Sequence, residues 1–380
     1  MDDAPFSPID EPEAAGRRLS DWLIRKGRFR PGVLSLVSGF GRRANEYGIP
    51  LWRVHYVVQT LHPLDRLAVT RWYDDGADSG ELRVPHGTQD SDRFRNSPIR
   101  VVFEGGGEIR RRLEGPGVVI DFPVLQDVID GGGTDYLALP VPFSDGQVNA
   151  ITLATRAPGG FAGWMMEELR HAVRAMAPLL EVMQTRALAK VLLDTYLGAN
   201  AGERVLRGAI TRGSGETIRA AVWFCDLRGF TELSERLPRQ ALIELLNAYF
   251  GAATAAVERH GGEVLKFIGD AVLAIFPLGE GAPPAEAAER ALRAATEAAA
   301  AIAAGHAERQ AAGLPKIRFG LALHIGDVLY GNIGGTGRLD FTVIGPAVNA
   351  VTRIEGLTKA LGRSLLVSQA VAEALPGRFE

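Results

Sequence analysis

The sequence lacks the features that mark several whole classes of protein. It holds a single cysteine, Cys225. That excludes an internal disulfide and any zinc site built on several thiolates, and it agrees with a reducing compartment; Cys225 itself reads as a small apolar filler. No uninterrupted apolar run approaches the roughly 20 residues that a membrane helix needs. The opening residues, MDDAPFSPIDEPEAAG, are acidic and lack the basic and apolar zones of a secretory signal. A cytoplasmic location without a membrane span is therefore expected. A basic excess is missing too: the formal net charge is −3 over 380 residues, so there is no electrostatic ground for nucleic acid or an anionic membrane surface as a partner.

What is present is the make-up of an ordinary globular protein, 46% hydrophobic and 23% charged. A prior of roughly 150 residues per domain suggests two or three domains. Residues 1–12, acidic and Pro-bearing, read as a loose tail, and a short amphipathic helix is expected around Arg17 to Lys26. In LWRVHYVVQTL the residues Trp52, Val54, Tyr56 and Val58 alternate onto one face, and LAVTRWY at 67–73 is a partner strand. Further strands are expected at IRVVFE, GVVIDF, YLALPVPF and NAITLATR, the last two separated by a turn at Ser144, Asp145 and Gly146. Residues 13–160 thus predict an antiparallel sheet flanked by helices.

After APGGF the period changes to that of a long helix, about Trp164 to Leu197. Leu169, Val173, Met176, Leu180 and Met183 recur at spacings of four and three, a seam suited to a parallel two-helix contact or to packing against the helix's own domain. Pro178 interrupts it. Residues 161–216 then read as a signalling helix with a Gly-rich connector, and a second domain is expected over 217–380.

In that second half VWFCDLRGFTEL runs from a greasy strand into Asp226, followed by Gly229 and Thr231. Taken alone, Asp226 is a metal ligand or a helix cap. HGGEVLKFIGDAVLAIF holds Lys266 in a strand and Asp270 in a tight turn. Asp270 alone is a hairpin turn residue, and Lys266 alone a cation that snorkels to water. Two carboxylates at the ends of apolar strands repel each other, and a divalent cation with oxygen ligands is the usual reason to tolerate that. Asn349 and Arg353, four apart on a helix after Pro346, share one face, either solvated or aimed at one target.

FCDLRGFT, EVLKFIGDAVLAIF, HIGDVLYGNIG and FTVIGPAVNAVTRIE stand in the order and approximate spacing of the catalytic domain of class III adenylate and guanylate cyclases, and the stretch from about 217 to 375 resembles that family. The resemblance implies an α+β architecture: a ferredoxin-like βαββαβ cyclase domain after a helical connector and an N-terminal α+β domain. That N-terminal domain resembles sensor modules of the GAF and PAS type in pattern only, and it would take an unknown ligand. Trp52, Tyr56, Trp72 and Tyr73 are core aromatics or line a pocket there.

By the same resemblance Asp226 and Asp270, with the backbone of Leu227, hold two Mg²⁺ or Mn²⁺ ions per site. The backbone of Gly229, Phe230 and Thr231 approaches the triphosphate, as does Arg363. Lys266 and Thr342 read the purine, Asn349 orients the ribose, and Arg353 stabilises charge in the transition state. A Lys donor and a Thr oxygen suit the ring nitrogen and exocyclic amine of adenine, which points to ATP. Thr342 stands where the family often has Asp, and Pro346 where it often has Asp or Lys. The family commonly continues into a strand pair with a Lys on the triphosphate; the sequence closes at LPGRFE, so that contact has no residue here. Lys266 and Asp270 are four residues apart, about 13 Å at about 3.3 Å per residue, too far for one chain to place both at one adenine and one metal pair. A head-to-tail homodimer with shared active sites resolves this. The reading is an adenylate cyclase regulated by its N-terminal domain; a non-catalytic nucleotide-binding regulator and a guanylate cyclase are the alternatives.

Overall fold

The computed structural model describes residues 14–60, 65–76, 78–87, 91–335 and 337–379. The tail expected at residues 1–12 lies outside the described residues. The chain divides into two units between Leu192 and Leu193.

In the first unit, α1 (Ala14–Arg25) and α2 (Val33–Glu46) precede β1 (Arg53–Gln59), β2 (Asp65–Tyr73) and β3 (Gly80–Pro85). There follow α3 (Asp92–Arg95), α4 (Pro98–Phe103), β4 (Ile109–Arg112), α5 (Pro123–Asp130), β5 (Asp135–Pro142), β6 (Val148–Thr155) and α6 (Gly163–Leu197). The strands pair antiparallel in the order β3-β2-β1-β6-β5-β4, which is the flanked antiparallel sheet that the alternation predicts. Val54, Tyr56 and Val58 share one face and pack with Leu36, Phe40 and α6. Trp52, one residue ahead of the strand, turns to the opposite layer with Val102, Val128 and Tyr136.

Two of the expected strands are not strands. IRVVF forms α4, because Ser97 caps it through the Arg100 amide and Pro98 sits in its first turn; these end signals outweigh the β-branched composition. GVVIDF pairs with nothing in the sheet and leaves Val119 and Ile120 about half exposed. The sheet ends at β3 and β4, and nothing in the structure explains why this segment adds no further strand to either edge.

Helix α6 runs through Pro178 without ending. Leu169, Val173, Met176 and Leu180 are all buried in the core of the first unit, and Met183 packs partly against it. The seam is therefore filled by the helix's own domain and is not free for a second helix.

The second unit begins at Leu193, earlier than the expected 217. The reason is α7 (Ala199–Leu206), which buries Ala201 completely and donates from Asn200 Nδ2 to Glu263 at 3.2 Å. Then come β7 (Gly215–Leu227), α8 (Phe230–Arg236), α9 (Arg239–Arg259), β8 (Glu263–Ile268), β9 (Ala271–Pro277), α10 (Pro284–Ala304) and α11 (His306–Ala311). The chain closes with β10 (Phe319–Gly334), β11 (Leu339–Ile344), α12 (Pro346–Ala360), β12 (Leu365–Val367) and α13 (Gln369–Ala374). The sheet order is β11-β10-β7-β9-β8, with β12 paired to β10, as the βαββαβ expectation requires. Strand β7 lies at its centre, covered on both faces. Ala221, Trp223 and Cys225 face α9 and α10, while Ala220, Val222 and Phe224 face α12. Cys225 is a buried core side chain, as expected. The alanine-rich α10 buries one side, from Ala287 to Ile302, and small residues there let it approach its neighbours closely.

If the α6 seam is core, Leu169→Ala removes a fully buried side chain and costs about 3 kcal/mol. The loss should be the same at all protein concentrations in thermal melts. A melting shift that grows on dilution would instead mark the seam as an interface between chains.

Candidate active site

Strand β7 alternates down to Phe224, so Asp226 continues the face that α12 covers, at the strand's end. Its neighbours come from three elements. Gly320 of β10 pairs directly with Asp226. Cys225 pairs with Val272 of β9, which sets the Gly269-Asp270 turn alongside. From α12, Glu355 reaches down to the same point: a Cβ on Gly320 would collide with its carboxylate and with the Thr358 hydroxyl. Only glycine leaves that space.

Three carboxylates therefore crowd together. Burial pushes the Asp226 carboxyl from 3.8 up to about 6, the charges of Asp270 and Glu355 push the same way, and the Leu227 amide partly offsets them. Burial also raises Glu355, against the Thr358 hydroxyl, which donates to it at 3.2 Å, and the charge of Arg228. Arg228 leaves the strand just after the carboxylate and donates through Nη2 to the carbonyl of Arg363. The main chain at Arg363 is thereby held near the carboxylates, with its side chain exposed.

Hard oxygen donors in like-charge contact suit a divalent cation. Among the described residues no three His, Cys, Asp or Glu side chains form a ready-made metal cage. The Asp226 and Asp270 pair fits a cation that takes one or two carboxylates and fills its other positions with a carbonyl such as that of Leu227, with water and with substrate oxygens, which is how Mg²⁺ binds. Beside the pair, Gly229 adopts a left-handed φ of 76° and caps α8. The first amides of that helix, including Phe230 and Thr231, have no partner within it.

A second cluster lies where β8 approaches β11. A bulge between Val264 and Lys266 re-aims β8. Lys266 Nζ donates to Asp340 Oδ2 at 2.5 Å. Two residues along the same strand face, Thr342 is buried, and its hydroxyl has no partner among the described residues. Lys266 and Thr342 thus belong to one neighbourhood, with Asp340 between them in sequence order and chemistry.

Asn349 and Arg353 join neither cluster. Both are exposed on α12 and make no side-chain hydrogen bond or ion pair among the described residues. Glu355 faces Asp226, and Arg353 is two positions away, about 200° around the helix at about 100° per residue. In its own chain Arg353 is therefore turned away from the carboxylates.

Sequence reasoning missed Glu355, Arg228 and Asp340. Asp340 could have been found from the period of two, which puts it on the face of Thr342. Glu355 could not, because only the bare Gly320 beneath it brings it to the site.

Residues 214–380 match the family described as the adenylate and guanylate cyclase catalytic domain. An adenylate cyclase of Anabaena cylindrica is 38% identical over 167 residues, which cover 43% of this chain and 32% of that one. Among solved structures, a bacterial light-regulated adenylyl cyclase aligns at 28% identity with a TM-score of 0.46, over 54% of this chain and 59% of its own. A guanylyl cyclase aligns at 29% identity and a TM-score of 0.39, over 44% and 82%. The chain spans between 22% and 36% of the length of the curated relatives it matches.

The crowding has a sign that can be measured. A carboxyl raised to about 6 makes the metal-free fold most stable when protonated; that stability is complete below the ordinary 3.8 and is lost as pH rises through about 6. Asp226→Asn should therefore melt higher than the parent at neutral pH without metal, by roughly 1 kcal/mol after allowing for half-exposure. It should also flatten the pH dependence and abolish the stabilisation by Mg²⁺. A variant that melts lower than the parent would contradict the repulsion.

Proposed function

We propose that residues 214–380, which match the adenylate and guanylate cyclase catalytic domain, work as a class III nucleotidyl cyclase domain and that the chain converts ATP to 3′,5′-cyclic AMP and pyrophosphate in sites shared by two copies. The observation that carries this reading is the pair of clusters: carboxylates at the end of β7, and a Lys266, Asp340 and Thr342 group across β8 and β11.

In the reaction the ribose 3′-oxygen attacks the α-phosphorus, the bond from that phosphorus to the bridging oxygen breaks, and pyrophosphate leaves. The hydroxyl proton passes to solvent or to a substrate oxygen. Asp226 and Asp270, with the Leu227 carbonyl, would hold the two divalent ions. When bound, these supply Lewis acidity to the 3′-oxygen and the phosphates. Amides at the start of α8 meet phosphate oxygens at the positive end of the helix, and Arg363 adds a cation. Asn349 orients the ribose, and Arg353 stabilises the charge that develops on the α-phosphate. Because Arg353 turns from its own chain's carboxylates, the partner copy must supply it.

The base pocket favours adenine. Lys266 donates to a ring nitrogen, while the free Thr342 oxygen and the Asp340 carboxylate accept from an exocyclic amine; a guanine carbonyl at that edge would face a negative charge instead. Helix α6, which leaves the first unit, offers the route by which that unit regulates turnover.

An assay of the purified chain with each nucleotide and Mg²⁺ or Mn²⁺ decides the matter. Cyclic AMP should form faster than cyclic GMP, and Asp340→Asn should reduce the ATP over GTP ratio of kcat/KM by about tenfold. No cyclic product from either nucleotide would sink the enzyme reading, and a preference for GTP would sink the assignment of the base.

A further inference from the structure

The first unit contains a cavity of about 780 Å³ between its sheet and α6, lined by segments from Arg28 to Val191. That volume suits a small organic ligand. One side chain on its wall lacks an acceptor: Tyr56, fully buried in β1, lines the cavity and its hydroxyl has no partner among the described residues. Burial raises its pKa, so the phenol keeps its proton and remains a donor. A buried donor without an acceptor costs free energy that an occupant could recover.

The charge points the same way. Five cationic side chains, Arg83 and Arg186 among them, line the cavity against two carboxylates, Glu81 and Asp145; both of these arginines are exposed, and neither has a carboxylate partner among the described residues. Apolar walls complete it, with Phe143 on one side and Met183 on the other. We propose that this cavity binds a small organic anion with an apolar, ring-sized body, its acidic group toward the arginines and an acceptor atom toward the Tyr56 hydroxyl.

The same helix that forms one wall is tied to the sheet by Glu181, which accepts from the Ser144 amide at 3.1 Å. It then continues past the unit boundary to Leu197. An occupant therefore bears on the helix that enters the second unit. Binding itself does not rest on the cyclase reading; only an effect on turnover does, so the two are read separately.

The test uses two fluorescent probes of one shape, 8-anilinonaphthalene-1-sulfonate and its uncharged parent N-phenyl-1-naphthylamine, titrated into the full chain. The sulfonate should bind saturably, once per chain, at least tenfold more tightly than the neutral probe. Arg83→Gln with Arg186→Gln should bring the two within about threefold, Tyr56→Phe should weaken the sulfonate several-fold, and Val58→Trp should fill the space and remove both. Melting curves establish that each variant folds; if one does not, the comparison of probes on the parent chain still decides. Equal binding of the two probes, no saturable binding, or a sulfonate signal untouched by the arginine changes would overturn the proposal.

Discussion

The second unit is organised around an unfavourable contact. Asp226, Asp270 and Glu355 meet at the end of β7 with Arg228 as the nearby cation that moderates Glu355. A fold does not retain three acids at one point for its own stability, because like charges in a half-buried setting raise one another's pKa values and cost free energy at neutral pH. The rest of the unit holds them there regardless. Strand β7 is buried on both faces by alternating side chains. The hairpin of β8 and β9 fixes the turn that carries Asp270. Gly320 leaves the gap into which Glu355 descends. In the proposed function a divalent cation with phosphate oxygens would turn the repulsion into binding.

Helix α12 divides the parts of the proposed site. Its inner face sends Glu355 to the carboxylates, and its outer face leaves Asn349 and Arg353 exposed, without a side-chain partner among the described residues. An arginine held ready on an exposed helix face, two positions from an acid that faces the other way, is what a shared site needs and what a self-contained site would waste. The ion pair of Lys266 with Asp340 keeps a half-buried ammonium compensated, and in the proposed function a purine would take over part of that role. In the first unit the long helix has its seam filled by its own core, so any contact between copies must use other surfaces.

Much of the second unit was legible because its signals are local. A greasy strand ending in Asp226, the turn at Asp270, and the spacing of Asn349 and Arg353 each fix a position relative to a strand end or a helix face. Glu355 and Arg228 were not legible, since their roles depend on contacts between elements far apart in sequence. In the first unit the errors share one cause. IRVVF and GVVIDF are rich in β-branched residues, yet the Ser97 and Pro98 start signal made the first a helix, and the second pairs with no strand. Trp52 followed the alternation of β1 on paper but lies just outside the strand, where period two no longer binds it. The heptad-like spacing in α6 was real, but spacing alone cannot say whether a seam meets a partner or the helix's own sheet.

The central claim, that one chain holds both halves of the chemistry and completes neither site alone, is tested most directly by mixing. Asp226→Ala and Arg353→Ala chains, each inactive as a homodimer, are combined and assayed for cyclic AMP. Sharing leaves one intact site in each mixed dimer, so activity should return to about a quarter of the parent level, half the dimers being mixed in an equal mixture and each having one of two sites. A mixture as inactive as its two components, with mixed dimers shown to form, would contradict the account.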